Sequence, residues 1–90
     1  MTAQSRPKNV TGAGVVLASP CTFRGFTLTS VAGATVNIYD NASAASGTVV
    51  GCAIIGANGS AHIDIADGTR CENGLYLDTA GTLVGSVRYG

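Results

Sequence analysis

Apolar and polar residues alternate with a period of two along most of the chain, and the phase is reset at short clusters of Gly, Ala, Ser, Asn and Asp. Residues two apart on an extended backbone share a face, so this pattern predicts strands with one side against a core. The clearest instance lies in residues 21–40, CTFRGFTLTSVAGATVNIYD. Phe26, Leu28 and Ser30 share one face, a Val-Ala-Gly-Ala turn follows, and Ala34, Val36 and Ile38 share a face of the returning segment. These features predict a central hairpin.

Within that stretch Cys21 and Phe23 fall on the opposite parity to Phe26 and Leu28, so the phase slips around Arg24-Gly25. A bulge with Gly in an unusual backbone conformation would restore the register and keep both rings inward. The competing reading turns Phe23 outward, into a partner.

Elsewhere the same logic predicts short strands. Val15, Val16 and Leu17 form one that ends at Ser19-Pro20, since proline cannot pair onward. After the flexible NASAASG loop, GTVVGCAII is nearly continuous in apolar β-formers, as in a strand covered on both faces or an edge covered by a neighbour. SAHIDIAD points Ala61, Ile63 and Ile65 inward and His62 and Asp64 outward, before a turn at Asp67-Gly68. Leu75 and Leu77 face inward in ENGLYLDT, a tight turn follows at Ala80-Gly81, and TLVGSVRYG closes the chain with a strand paired inside a sheet. Six or seven strands with turns roughly every 8 to 12 residues predict an all-β fold, a small antiparallel β-sandwich or barrel of jelly-roll or Ig-like type. Residues 1–14 read as an extended N-terminal arm with Pro7 near its middle, and residues 15–90 as the single β domain.

Composition changes this picture in one respect. Ninety residues bury only about 60 to 65 % of the surface of the unfolded chain; with thirteen glycines and no Trp, the core is thin. A lone monomer is marginal, and burial against copies of itself or a larger assembly is expected. Five basic and five acidic residues cancel. Such a surface suits coverage by partners and lacks the basic field of a non-specific nucleic-acid binder.

The three cysteines, Cys21, Cys52 and Cys71, are odd in number and have no CxxC spacing, so they read as small buried hydrophobes of a chain assembled in reducing cytosol. Neither a signal-peptide core nor an apolar run long enough to span a membrane is present.

Candidate chemistry is sparse. His62 and Asp64 share a face, but a metal site needs three or four ligands and hydrolysis needs a nucleophile and an oxyanion site; a solvated strand face or subunit contact accounts for them. Asp40, Asn41, Asp64, Asp67, Glu72 and Asp78 match no EF-hand spacing, and turn formation explains Asp40, Asn41 and Asp67. Glu72 with Arg70, and Asp78 with Arg88, read as surface or intersubunit ion pairs. The glycines form no phosphate-binding pattern. Tyr39, Tyr76, Tyr89 and Phe23 lie on separate segments, as core or interface anchors rather than a sugar platform. The expectation is a structural or binding module without catalytic residues, metal or cofactor. Arg6, Pro7 and Lys8 would dock the arm in a groove of a partner protein, with Phe23 and Arg24 as further partner contacts.

An apolar strand ending in Tyr39-Asp40, the Asn41-Ala42-Ser43 loop, a Ser46-Gly47-Thr48 strand start, the Asp67-Gly68 turn, Glu72-Asn73-Gly74-Leu75 and the final Tyr89-Gly90 together resemble small β-sandwich virion structural proteins of tailed bacteriophages, of the capsid cement or decoration type. The resemblance covers residues 21–90. It implies a chain assembled in the host cytoplasm and placed on the capsid surface. There it would bridge major capsid protein subunits as a homo-oligomer, a trimer at the symmetry axes of the shell, with no specific nucleic-acid partner and no membrane. The alternatives are a neck, tail or fibre component of the virion, or a small carbohydrate-binding module.

Overall fold

The computed structural model describes residues 6–90, apart from the side chains of Arg6 and Ala66. Eight strands are present among the described residues: β1 (Arg6–Val10), β2 (Gly14–Leu17), β3 (Cys21–Ser30), β4 (Ala34–Tyr39), β5 (Val49–Ile55), β6 (Gly59–Cys71), β7 (Leu75–Gly81) and β8 (Val84–Tyr89). They form two four-stranded antiparallel sheets, sheet A in the order β1-β8-β3-β6 and sheet B in the order β2-β7-β4-β5. The count exceeds the six or seven strands expected because residues 6–10, read as arm, pair with β8 from Arg6 opposite Tyr89 to Val10 opposite Gly85. Pro7 is tolerated there because β1 is an edge strand. Residues 1–5 of the expected arm lie outside the described residues.

The predicted hairpin is corrected in kind. Both segments are strands, but β3 belongs to sheet A and β4 to sheet B, so residues 31–33 carry the chain from one sheet to the other. Ser30 fixes this crossing: its buried hydroxyl donates to the Thr82 carbonyl and accepts from the Gly33 N–H at 3.0 Å, while Asn58 N–H donates to the Val31 carbonyl at 2.8 Å. Alternation alone cannot distinguish a ladder from a crossing, since both need only one inward face on each strand. Among the described strands, β4 and β5 form the one hairpin between consecutive strands, closed by an Asp40 N–H to Thr48 carbonyl bond of 2.8 Å.

The core lies between the sheets. Sheet A supplies Phe23, Phe26, Leu28 and Val87, and sheet B supplies Val36, Ile38, Leu75 and Leu77, all at most 1 % exposed. Cβ atoms on one face of a strand recur every second residue, which is why these positions keep the predicted parity. The slip at Arg24-Gly25 is a bulge: the β3–β8 and β3–β6 registers both shift between Phe23 and Gly25, and Gly25 has φ 138°. Both rings therefore point inward, with centroids 6.4 Å apart. Across the core, a Cβ added to Gly51 on β5 would sit 3.1 Å from the Phe23 ring, so this glycine leaves room for the aromatic pair.

The expected turn at Asp67-Gly68 is also corrected. The strand continues to Cys71, and residues 65–68 bow out opposite Arg24, with Gly68 at φ 74°. A Gly in a turn-like conformation serves a wide bulge as well as a chain reversal.

Candidate functional site

Of the residues expected to meet a partner, Pro7 and Lys8 lie exposed on β1, opposite Arg88 and Val87. Arg6 pairs through its backbone with Tyr89. Arg24 is half-buried at the bulge, its Cδ lying against Gly68. These positions gather at one end of sheet A, on either side of β8. Phe23 does not join them. It is 0 % exposed, so its assignment to the partner surface is corrected: the bulge makes its ring part of the core.

The outer face of sheet A is knitted together by side chains. Register brings Thr27 opposite both His62 on β6 and Ser86 on β8. Thr27 Oγ1 lies 2.7 Å from His62 Nδ1 and accepts from an Arg88 guanidinium N–H at 3.0 Å. A second guanidinium N–H of Arg88 donates to the Ile63 carbonyl at 2.9 Å, and the same nitrogen lies 3.6 Å from Asp64 Oδ1. Gly25 permits this reach, because a Cβ there would sit 3.2 Å from that nitrogen. Arg88 thus pairs with Asp64 and not with Asp78, which lies on sheet B. Arg70 and Glu72 do pair, 3.4 Å apart on the surface. Outward parity of Thr27, His62 and Arg88 was readable in the sequence; the strand order that makes them neighbours was not.

Asp40 has a structural task. Its carboxylate accepts from the backbone N–H groups of Glu72 at 3.1 Å, Asn73 at 2.9 Å and Gly74 at 3.4 Å. These bonds, that from Asn73 foremost, hold its pKa below 3.8. Asn41 likewise folds its own loop, accepting from the N–H groups of Ser43 and Ala44 at 2.9 and 3.0 Å. The Tyr-Asp-Asn-Ala-Ser and Glu-Asn-Gly-Leu motifs therefore clasp one another at one end of the molecule.

Cys21 and Cys71 are buried and directly opposite each other on β3 and β6. Burial raises both thiols, Cys71 to about 11, which makes them poor nucleophiles. Cys52, expected to be buried, is exposed: bulge and parity place it on the outer side of β5, opposite Asn37.

Two further surfaces emerge from the topology. At the end opposite the Asp40 clasp, the crossings β3–β4, β5–β6 and β7–β8 enclose an open groove of about 730 Å³, lined by Ser30, Val31, Asn58, Thr82, Leu83 and Val84 among others. On sheet B, Val15, Tyr76, Tyr39 and Val49 form one row across all four strands, on its outer face. Tyr39 and Tyr76, read as separate, are half-buried cross-strand neighbours. No protein-family model matches the chain, and no curated protein or solved structure shows significant similarity to it.

Proposed function

We propose that the chain is a structural protein of a tailed-phage virion, a jelly-roll cement or decoration protein on the capsid surface that bridges major capsid protein subunits. The observation that carries this reading is the strand order. Sheets ordered 1-8-3-6 and 2-7-4-5 follow from folding a long antiparallel ribbon over itself, the pattern of the jelly rolls common in viral capsid domains. The thin core and the exposed Val15, Val31, Val49, Ile54 and Val84 fit a surface that other subunits cover. Pro7, Lys8 and Arg24 then form the partner-facing margin of sheet A, and many weak contacts repeated over a lattice resist internal DNA pressure. Particles lacking the protein should assemble but lose DNA on heating or at low salt. Particles as robust as the wild type would end the cement reading.

A second reading rests on Tyr39 and Tyr76. Two adjacent tyrosines on a sheet face, flanked by Asn37 and Asp78 in the next row, offer stacking and hydrogen bonding to a sugar. Specific binding on a glycan array, lost in Tyr76→Ala, would favour it over cementing.

A further inference from the structure

The four edge strands differ in how they are protected. Unpaired edge groups invite another chain, and natural sheets blunt them with proline, charge, bulges or short strands. In sheet A, β1 carries Pro7 and Lys8, and Lys8 shares the inward parity of the buried Val10 although it is exposed. The other edge, β6, carries Asp64, Asp67 and Arg70 and bows out opposite Arg24. In sheet B, β2 has only four residues and an irregular register. The remaining edge, β5, has the sequence VVGCAII, with neither proline nor charge; its register shifts once, at Val50, and is regular from Gly51 to Ile55. Residues 41–61 contain no Asp, Glu, Lys or Arg at all. Two of the exposed large hydrophobics, Val49 at 45 % and Ile54 at 86 %, lie on this one strand, beside the exposed Cys52.

From these contrasts we infer that β5 pairs antiparallel with β5 of a second copy of this chain, joining two B sheets into one eight-stranded sheet about a two-fold axis at Cys52. A second copy is the occupant because the strand is its own complement. With no charge on it, self-pairing brings no like charges together, and Cys52, the middle residue of the strand, lies opposite its own symmetry mate on the two-fold axis. In that register Gly51 meets Ala53 of the second copy on the inner side, and Cys52 meets its own mate on the outer side, with the bulge at Val50 ending the regular stretch. Outward N–H and C=O groups of β5 gain ladder partners. The contact closes at two copies and does not depend on the virion reading.

Directly opposite residues of an antiparallel pair have Cα atoms about 4.5 or 5.5 Å apart, within the roughly 4.4 to 6.8 Å that a disulfide spans. Diamide therefore serves as a probe: two Cys52 thiols give up two electrons and two protons to its N=N bond, and an S–S bond forms between chains. The full chain should have twice the monomer mass in sedimentation equilibrium, and diamide should cross-link it through Cys52, with the link absent in Cys52→Ser. Cys52→Lys and Cys52→Asp place like charges on the axis, so each alone should weaken the dimer about tenfold or more while its thermal melt at dilute concentration stays unchanged. Mixing the two should restore a dimer containing one of each. A monomeric or trimeric wild type, a Cys52→Lys chain that dimerises normally, or a mixture that fails to recombine would overturn the inference.

Discussion

Along β1, Pro7 removes a ladder donor and Lys8 brings a charge to the inward-facing row; along β5 every residue is apolar and the outer backbone edge has no strand partner among the described residues. The faces behind these edges differ in the same sense. Sheet A carries Thr27, His62, Asp64 and Arg88, whose polar atoms engage one another and the Ile63 carbonyl. Sheet B presents Val15, Tyr39, Tyr76 and Val49. Yet the inner faces are alike, each supplying large side chains that are fully buried. Alternation toward a common core folds both sheets, while the outward positions decide which sheet is finished in a single chain and which accepts another.

The largest expected effects break the part the sheets share. Phe26→Ala on sheet A and Leu77→Ala on sheet B should each destabilise the domain by about 2 to 5 kcal/mol, measured by urea denaturation, because both leave a cavity in one core. In so small a domain either change can abolish folding. A loss confined to one of them would show that the sheets do not share a core.

Asp40→Ala comes next, at about 2 kcal/mol, since it strands the N–H groups of Glu72, Asn73 and Gly74. The folded carboxyl titrates below 3.8, so its contribution is complete above that pH and is lost as the pH falls through the lower folded value. Thermal melts below pH 4 should show this acid loss in the wild type and a smaller one in Asp40→Ala. Cys71 acts in the opposite sense. Its pKa is raised from 9.0 to about 11 on folding, so its contribution is present below pH 9 and fades as the pH climbs toward 11.

Much of this core was legible beforehand, because a period of two needs only local sequence. Phe26, Leu28, Val36, Ile38, Leu75, Leu77 and Val87 all stand on the predicted side. The phase slip at Arg24-Gly25 announced the bulge. What local sequence could not convey is pairing between distant strands. The crossing between β3 and β4 looks like a hairpin until Ser30 is seen bonded to residue 82, and Arg88 finds Asp64 rather than Asp78 only through β3. Strand order likewise turns Tyr39 and Tyr76 into neighbours and leaves GTVVGCAII, readable either way, at an edge.

The smaller effects separate the outer faces. Arg88→Ala should cost about 1 kcal/mol, because it removes bonds to Ile63 and Thr27 that tie β8 to β3 and β6. Ile54→Lys should change the monomer's stability by less than about 0.5 kcal/mol, since the side chain stands outside the core. The same change should weaken association. If Arg88→Ala were neutral and Ile54→Lys destabilising in the isolated chain, the contrast between the faces would be reversed.

Amide hydrogen exchange followed as a function of protein concentration compares the two edges most directly. Outward-facing amides of Val49–Ile55 should exchange more slowly as concentration rises, while those of Arg6–Val10 should not change. Equal protection at both edges, or none at β5, would contradict the account.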